Sequence, residues 1–152
     1  MKNLKKYALF LIDDDVLVRF EIINRIAKGA YGIVWKAIEK KNREIVAIKK
    51  IFDAFNNKID AKRTFREIFL LHSMGRHENV VKLVNVIESK RGRDIYLVFE
   101  YMDSDLHTVI RAGICEPIHT SFIMYQLGKA LKFIHSAGVI HRDIKPSNIL
   151  IN

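Results

Sequence analysis

Short apolar runs with frequent β-branched residues come first along this chain, and longer runs at helical spacing follow. Glu21 to Ala27 reads as a strand, punctuated by Gly29 and Gly32, and Ile33 to Ile38 reads as a second. The polar turn Lys40-Lys41-Asn42-Arg43 lets the neighbouring strands form a hairpin, and Glu44 to Ile51, rich in β-branched residues, is a third strand. Asp60 is a candidate N-cap for a helix running to about Met74, with Gly75 as its stop. Phe65, Ile68, Phe69 and His72 fall on one face of it. Val80 to Ile87 and Ile95 to Phe99 are two further strands, joined by Ser89 to Arg93 with Gly92 in the turn. After Met102 the spacing becomes helical. Pro117 suits the first turn of a long helix to about His135, ended by Gly138, with an apolar stripe of Ile123, Leu127, Ala130, Leu131 and Ile134. Strands with one helix, then helices, predict two lobes meeting near Phe99 to Asp105. Residues 1 to 19 read as an extension poorly tied to the strands after it.

Composition narrows the classes. The chain has 152 residues, 49% apolar and 28% charged, enough for a real core and unlike a disordered segment. Its single cysteine, Cys115, excludes an intrachain disulfide and points to an intracellular setting, cytoplasm or nucleus. The net charge is +9, but Lys5, Lys6, Arg43, Lys58, Arg63, Lys82 and Arg91 are scattered, with no basic stripe and no interleaved aromatics. Nucleic acid is therefore not an expected partner. Lys2, Lys5 and Lys6 precede the apolar run Tyr7 to Ile12, which is too short for a signal core and is followed by Asp13-Asp14-Asp15. No stretch is long enough to span a bilayer, so no membrane role is expected.

Four segments carry candidate chemistry. Ala27-Lys28-Gly29-Ala30-Tyr31-Gly32-Ile33-Val34 lies between two strands. A dinucleotide-binding glycine loop opens a helix instead. A glycine hairpin can fold over phosphates, because backbone N–H groups approach closely where no side chain intervenes, although taken alone it would serve equally as a plain β-turn. In Val46-Ala47-Ile48-Lys49, strand alternation places Ala47 and Lys49 on one face and Val46, Ile48 and Lys50 on the other. A small residue can lie against a flat base while the lysine two positions on reaches phosphate oxygens. Glu67, on the following helix, has the charge to orient Lys49. The run His141-Arg142-Asp143-Ile144-Lys145-Pro146-Ser147-Asn148 decides the matter. Asp143 can accept a hydroxyl proton, Lys145 can neutralise a transferred phosphoryl group, and Asn148 offers an oxygen to Mg²⁺.

In this order the four segments resemble the protein kinase set of glycine loop, strand lysine, helix glutamate and catalytic loop, over residues 20 to 152. Ala47-Ile48-Lys49-Lys50-Ile51, Arg63-Thr64-Phe65-Arg66-Glu67-Ile68, Tyr125-Gln126-Leu127 and Lys145-Pro146-Ser147-Asn148 are similar to the mitogen-activated protein kinases, and Ile51-Phe52-Asp53-Ala54-Phe55 to their atypical extracellular-signal-regulated branch. The resemblance implies an α+β fold, with a five-stranded antiparallel sheet and one helix followed by a mainly helical lobe. Residues 1–19 would be the extension. Residues 20–152 would be an incomplete kinase domain, with an ATP-binding lobe over 20–102 and the start of the second lobe over 103–152.

It also implies transfer of the γ-phosphate of ATP, with Mg²⁺, to protein serine or threonine hydroxyls. Lys145 favours these over tyrosine. Partners would be protein substrates and an upstream activating kinase, or the chain itself. Ile26, Val34, Ala47 and Leu150 would sandwich the adenine beside a gatekeeper Phe99. Backbone groups of Glu100 and Met102 would bond its edge, and Asp105 would meet the ribose. The loop Ala27, Lys28, Gly29, Ala30, Tyr31, Gly32 and Ile33 would cover the phosphates. Lys49, held by Glu67, would grip them, with Asp143 as base, Lys145 on the γ-phosphate and Asn148 on the metal. Arg66 and Arg142 would bind a phosphothreonine and so be regulatory.

Two departures stand out. Ala27 replaces the first glycine of the loop, and the sequence ends at Asn152, before the family's Asp-Phe-Gly metal ligand and activation loop. A chain that stopped there would transfer phosphate poorly, and its long helix would leave Ile123, Leu127, Leu131 and Ile134 without partners. The other reading is therefore a non-catalytic product that binds ATP weakly or competes for kinase partners.

Overall fold

The computed structural model describes residues 11–29, 32–90 and 92–152. They form two compact units. The first runs to Leu70 and resumes over Leu83–Tyr101, and the second takes Leu71–Lys82 and Met102–Asn152.

The first unit is built on a five-stranded antiparallel sheet in the order β1-β2-β3-β5-β4. The strands are β1 (Phe20–Gly29), β2 (Gly32–Glu39), β3 (Ile45–Ile51), β4 (Leu83–Glu88) and β5 (Ile95–Glu100). The five strands and the single long helix in this unit are those the apolar pattern predicts. Alternation then decides what each face does. Ile33, Trp35 and Ala37 of β2, Val46 and Ile48 of β3, and Tyr96 and Val98 of β5 are buried together on one face. Each large side chain there is worth ~1.5–3 kcal/mol of burial.

That face is covered by residues 11–20. A short helix α1 (Asp14–Arg19) lays Val16 on the sheet, flanked by Ile12 and Phe20, and all three are buried. The expectation that residues 1 to 19 are poorly tied is therefore wrong for residues 11–19, while residues 1–10, including Lys2, Lys5 and Lys6, lie outside the described residues. The short apolar run that looked like a truncated signal core ends in Ile12, which belongs to the sheet's core.

Helix α2 (Lys58–Met74) begins earlier than expected. Asn57 caps it, its Oδ1 accepting the N–H groups of Ile59 and Asp60 at 2.9 Å each. The carboxylate of Asp60 in turn accepts from the Asn57 amide at 2.7 Å. Asp60 is thus the third helical residue, bonded to the side chain of the cap, and not the cap itself. Phe65 and Phe69 stack with ring centroids 6.3 Å apart but stay largely exposed, and Thr64 is the buried residue of the helix.

In the second unit, helix α3 (Leu106–Ala112) is followed by α4 (Pro117–Ser136). Pro117 opens α4, where its missing N–H costs nothing, and a capping box joins Glu116 and His119. At the far end Gly138 adopts φ +71°. Its N–H reaches the His135 carbonyl at 2.9 Å and that of Val139 reaches Ile134 at 3.2 Å, the paired bonds of a Schellman ending. Residues 71–82 belong to this unit because they are fastened to α4. His77 stacks on Phe133 at 4.7 Å, the Asn79 amide donates to Gln126 at 3.0 Å, and Glu78 pairs with Lys129. Their turns delay β4 to Leu83, later than the expected Val80. Ile123, Leu127, Leu131 and Ile134 are half-buried, so the exposed apolar residues of α4 are a different set, Ile118, Phe122, Met124 and Tyr125.

The two loop glycines differ in kind. A Cβ on Gly32 would stand 2.0 Å from the Lys50 carbonyl oxygen on β3, whereas one on Gly29 would meet nothing within 4 Å. Gly32→Ala should cost about 1–3 kcal/mol or more, since the obstacle is backbone. Gly29→Ala should change stability by about 1 kcal/mol or less. Paired denaturant melts check this, and equal midpoints would refute it.

Candidate active site

Each unit carries its own part of the candidate machinery. In the first, Lys49 stands on β3 opposite Val34 of β2 and Leu97 of β5. Its ammonium lies 2.5 Å from the Glu67 carboxylate on α2. The pair is about one-third exposed, so water screens it and its contribution to stability is small. What it supplies is a fixed cation with Glu67 as its partner, and an ammonium has three donors. Ala47 lies between Lys36 and Phe99 across the ladders, on the same face as Lys49. Ala27 pairs with Val34, Lys28 with Ile33 and Gly29 with Gly32, so the loop is a hairpin tip. Ile26 is half-exposed beside a register shift of that hairpin. Ile33 is buried in the core, which leaves only its backbone available to a ligand. Ala30 and Tyr31 lie outside the described residues. Glu100 ends β5, paired with Val46. Arg66 is exposed on α2.

In the second unit, the segment after α4 gathers Asp143, Lys145 and Asn148. The Lys145 ammonium is 3.0 Å from the Asp143 carboxylate. The Asn148 amide nitrogen donates to both the Asp143 carboxylate and the Asp143 backbone carbonyl, at 2.9 Å each. A 3₁₀ turn, Pro146–Asn148, brings Asn148 back to Asp143. The Lys145 hydrogen bond, and then that of Asn148, hold the Asp143 carboxyl below its ordinary pKa. Arg142, next to it, sits in the left-handed region at φ 66°. That conformation is costly for arginine and persists where the surroundings impose it.

The strand pair β6 (Ser104–Asp105) and β7 (Leu150–Ile151) sets Asp105 directly opposite Leu150, so the expected ribose and adenine contacts of this unit adjoin. Asp105 has a second occupation that the sequence reading missed. It caps α3, its two carboxylate oxygens accepting the Thr108 N–H at 2.9 Å and the Thr108 hydroxyl at 2.8 Å. These bonds, the backbone one foremost, lower its pKa. The Asp-x-x-Thr spacing carried the signal. Met102 precedes this strand pair and is partly buried.

The donor chemistry fits a bound Mg²⁺. Both Asn148 amide hydrogens are spent on Asp143, which leaves the carbonyl oxygen as the amide's remaining polar atom. No group of three or more His, Cys, Asp or Glu among the described residues could hold a metal alone. Mg²⁺ commonly uses one or two protein oxygens together with substrate phosphates. Among the described residues no helix is long and apolar enough to cross a membrane.

Residues 20–152 match the protein kinase domain model. The chain belongs to the protein kinase family. Among its relatives are extracellular signal-regulated kinase 2 of Dictyostelium discoideum, 62% identical over 93% of this chain and 38% of the relative. Mitogen-activated protein kinase 15 is 58% identical in Xenopus laevis, over 93% of this chain and 24% of the relative, and 56% identical in Mus musculus, over 93% and 26%. This kinase sequence therefore spans well under half the length of the relatives it matches, and the mitogen-activated resemblance read from the motifs agrees with them.

The depressed Asp143 pKa gives a signed expectation. A lowered carboxylate pKa keeps the basic form present as pH falls through the ordinary carboxylate range. Lys145→Ala should move the Asp143 titration up, toward the ordinary value of about 3.9, with the acid limb of any activity moving the same way. A carbon-detected NMR titration reads it directly, and an unmoved titration would show that Lys145 is not the cause.

Proposed function

We propose that this chain is the nucleotide-gripping and catalytic-loop portion of a protein serine/threonine kinase of the mitogen-activated type. Its reaction is transfer of the ATP γ-phosphate to a protein hydroxyl. The observation that carries the reading is the Asp143–Lys145–Asn148 cluster, an arrangement with a clear use in phosphoryl transfer. Asp143, ionised, orients and deprotonates the acceptor hydroxyl. Lys145 places positive charge where the transferred group gathers negative charge. Lys49, anchored by Glu67, holds phosphate oxygens. Ile26, Val34, Ala47 and Leu150 supply apolar surface for adenine, Glu100 and Met102 its backbone partners, and Asp105 a ribose contact. Lys28, Gly29 and Gly32 belong to the covering loop, with Ala27, Ala30, Tyr31 and the Ile33 backbone. Asn148, together with phosphate oxygens, would hold Mg²⁺, which would supply further charge neutralisation. Catalysis in this class is mainly positioning and electrostatic stabilisation, which the fixed charges of the cluster support.

Protein substrates, an upstream activating kinase or self-phosphorylation, and phosphothreonine capture by Arg66 and Arg142 belong to the same proposal. The test uses the full-length protein with ATP, Mg²⁺ and a serine/threonine protein substrate. Asp143→Asn should lower kcat by about 10²–10⁴-fold while leaving ATP binding nearly intact. Wild-type protein that binds ATP and transfers nothing would instead favour the non-catalytic binding product. Full turnover by Asp143→Asn would sink the assignment of the base.

A further inference from the structure

Lys50 follows Lys49 on β3 and points the other way. It is 5% exposed, a lysine inside the apolar face of the sheet. Its ammonium meets the Asp94 carboxylate at 2.8 Å, the Leu11 carbonyl at 2.8 Å and the Asp13 carboxylate at 3.4 Å. The rings of Tyr96 and Phe52 stand 5.0 and 5.3 Å away. The Tyr96 hydroxyl donates to Asp13 at 2.6 Å, and the Asp13 N–H donates back to it at 3.0 Å.

Asp94 is the node of this network because its two oxygens serve different segments. While Oδ2 takes the Lys50 ammonium, Oδ1 accepts the Asp53 N–H at 3.0 Å. Asp53 is left-handed, at φ 46°, in the turn leading from β3 to the Asn57 cap of α2. The adjacent Ala54 N–H is held by the Arg93 carbonyl at 2.8 Å. Asp94 is itself fixed, its N–H bonded to the Ser89 hydroxyl at 3.2 Å and its carbonyl accepting the Ser89 N–H at 3.0 Å. Between this turn and α2 lies a cavity of about 320 Å³, lined by Lys49, Phe52, Asp53, Asp60, Arg63 and Glu67. The first turns of α2, with the buried Thr64, thus border this space, and the turn at Asp53 shares in deciding where the helix starts.

We propose that Asp94, acting with Lys50, is a positioning residue for the phosphate-gripping pair: it ties the segment around Asp13 to the turn from which α2 springs, and so sets where Glu67 meets Lys49. The inference rests on the kinase reading above for its functional consequence, but not for its structural one. Segment, lysine, carboxylate and turn form one chain of polar contacts with no substrate in it, and the buried Thr64 hydroxyl, donating to the Ala54 carbonyl at 3.5 Å, carries it onto the helix.

The test uses the full-length kinase and Asp94→Asn, which keeps an acceptor for Asp53 but sets an amide N–H₂ against the Lys50 ammonium. Amide exchange at Asp53 and over 58–61 should accelerate about tenfold, with Leu97 and Val98 of β5 unchanged. The KM for ATP should rise severalfold, measured well below the melting temperature. In a Glu67→Gln background the same substitution should add little, because both act through one contact. A lowered melting temperature with exchange over 58–61 and KM both unchanged would overturn the proposal, as would a full, multiplicative loss in the Glu67→Gln background. If Asp94→Asn does not fold, Asp13→Asn, which keeps the Lys50–Asp94 pair, should give a smaller change in the same direction, and no change at all overturns it. Exchange needs no turnover, so a wild-type protein without kinase activity would remove the functional reading and still let the exchange rates decide this one.

Discussion

Neighbouring side chains on a strand must point to opposite faces, and β3 lies at the centre of the sheet with both faces in use. Lys49 and Lys50 therefore face different surroundings one residue apart. Lys49 is partly exposed and meets a single carboxylate. Lys50 is buried and meets two, with a backbone carbonyl and two rings. A slip of one residue in the β3 register would bury Lys49 and expose Lys50, so the Lys49–Glu67 pair depends on that register.

Magnitudes separate the two ion pairs. Lys49–Glu67 is screened by solvent, and pairs of that kind are worth up to about 1 kcal/mol. Evolution of such a contact is better explained by where it holds a charge than by how tightly. Lys50 is the opposite case. Burial alone would lower its pKa, but hydrogen bonds to Asp94 and Tyr96 outweigh that penalty and the net shift is upward. Burial, with the bond to Asp13, pushes the Tyr96 hydroxyl up to about 12. Both groups keep their protons across the physiological range, so the network holds one charge state there. Breaking a buried pair by removing one partner typically costs about 3–5 kcal/mol, because the other charge is left stranded. Losing one partner therefore costs more on the buried face than on the exposed one.

Much of this was legible in the residues. The strand and helix order, the alternation that gives Lys49 and Lys50 different faces, the Pro117 start and the Gly138 stop all derive from period and from φ restrictions that local sequence carries. So does the run His141 to Asn148, whose spacing is rigid because Asn148 must return to Asp143 within one turn. What escaped were contacts across long sequence separations. Asp13 meets Tyr96, and residues 77–79 meet α4, through partners no local pattern names. One clue was available. A lysine placed by alternation beside Val46 and Ile48 needs carboxylates, although no local pattern says that these are Asp13 and Asp94. The misplaced cap at Asp60 has a plainer cause: Asn57 and Asp60 are both good capping residues, and only the local bond pattern says which is outside the helix.

The backbone shows where the surrounding structure does its most demanding work. Three non-glycine residues among those described have positive φ: Arg43, Asp53 and Arg142. Arg43 ends the hairpin turn between β2 and β3, where such a conformation is routine. The other two stand at the entrances to the functional segments. Asp53 precedes the helix that carries Glu67, and Arg142 precedes Asp143. A left-handed arginine or aspartate costs roughly 1–3 kcal/mol and is kept only where neighbours over-determine it. For Asp53 the neighbours are identifiable: the Asp94 carboxylate holds its N–H, and Arg93 holds the next residue. For Arg142 the constraint comes from both sides: His141 accepts the Asp143 N–H across it at 3.2 Å, while Lys145 and Asn148 fix the carboxylate of Asp143. In each unit the strained residue lies next to a polar network that pins its successor or its own amide. The chain is bent sharply at the start of each of these segments, and neighbouring polar groups hold each bend.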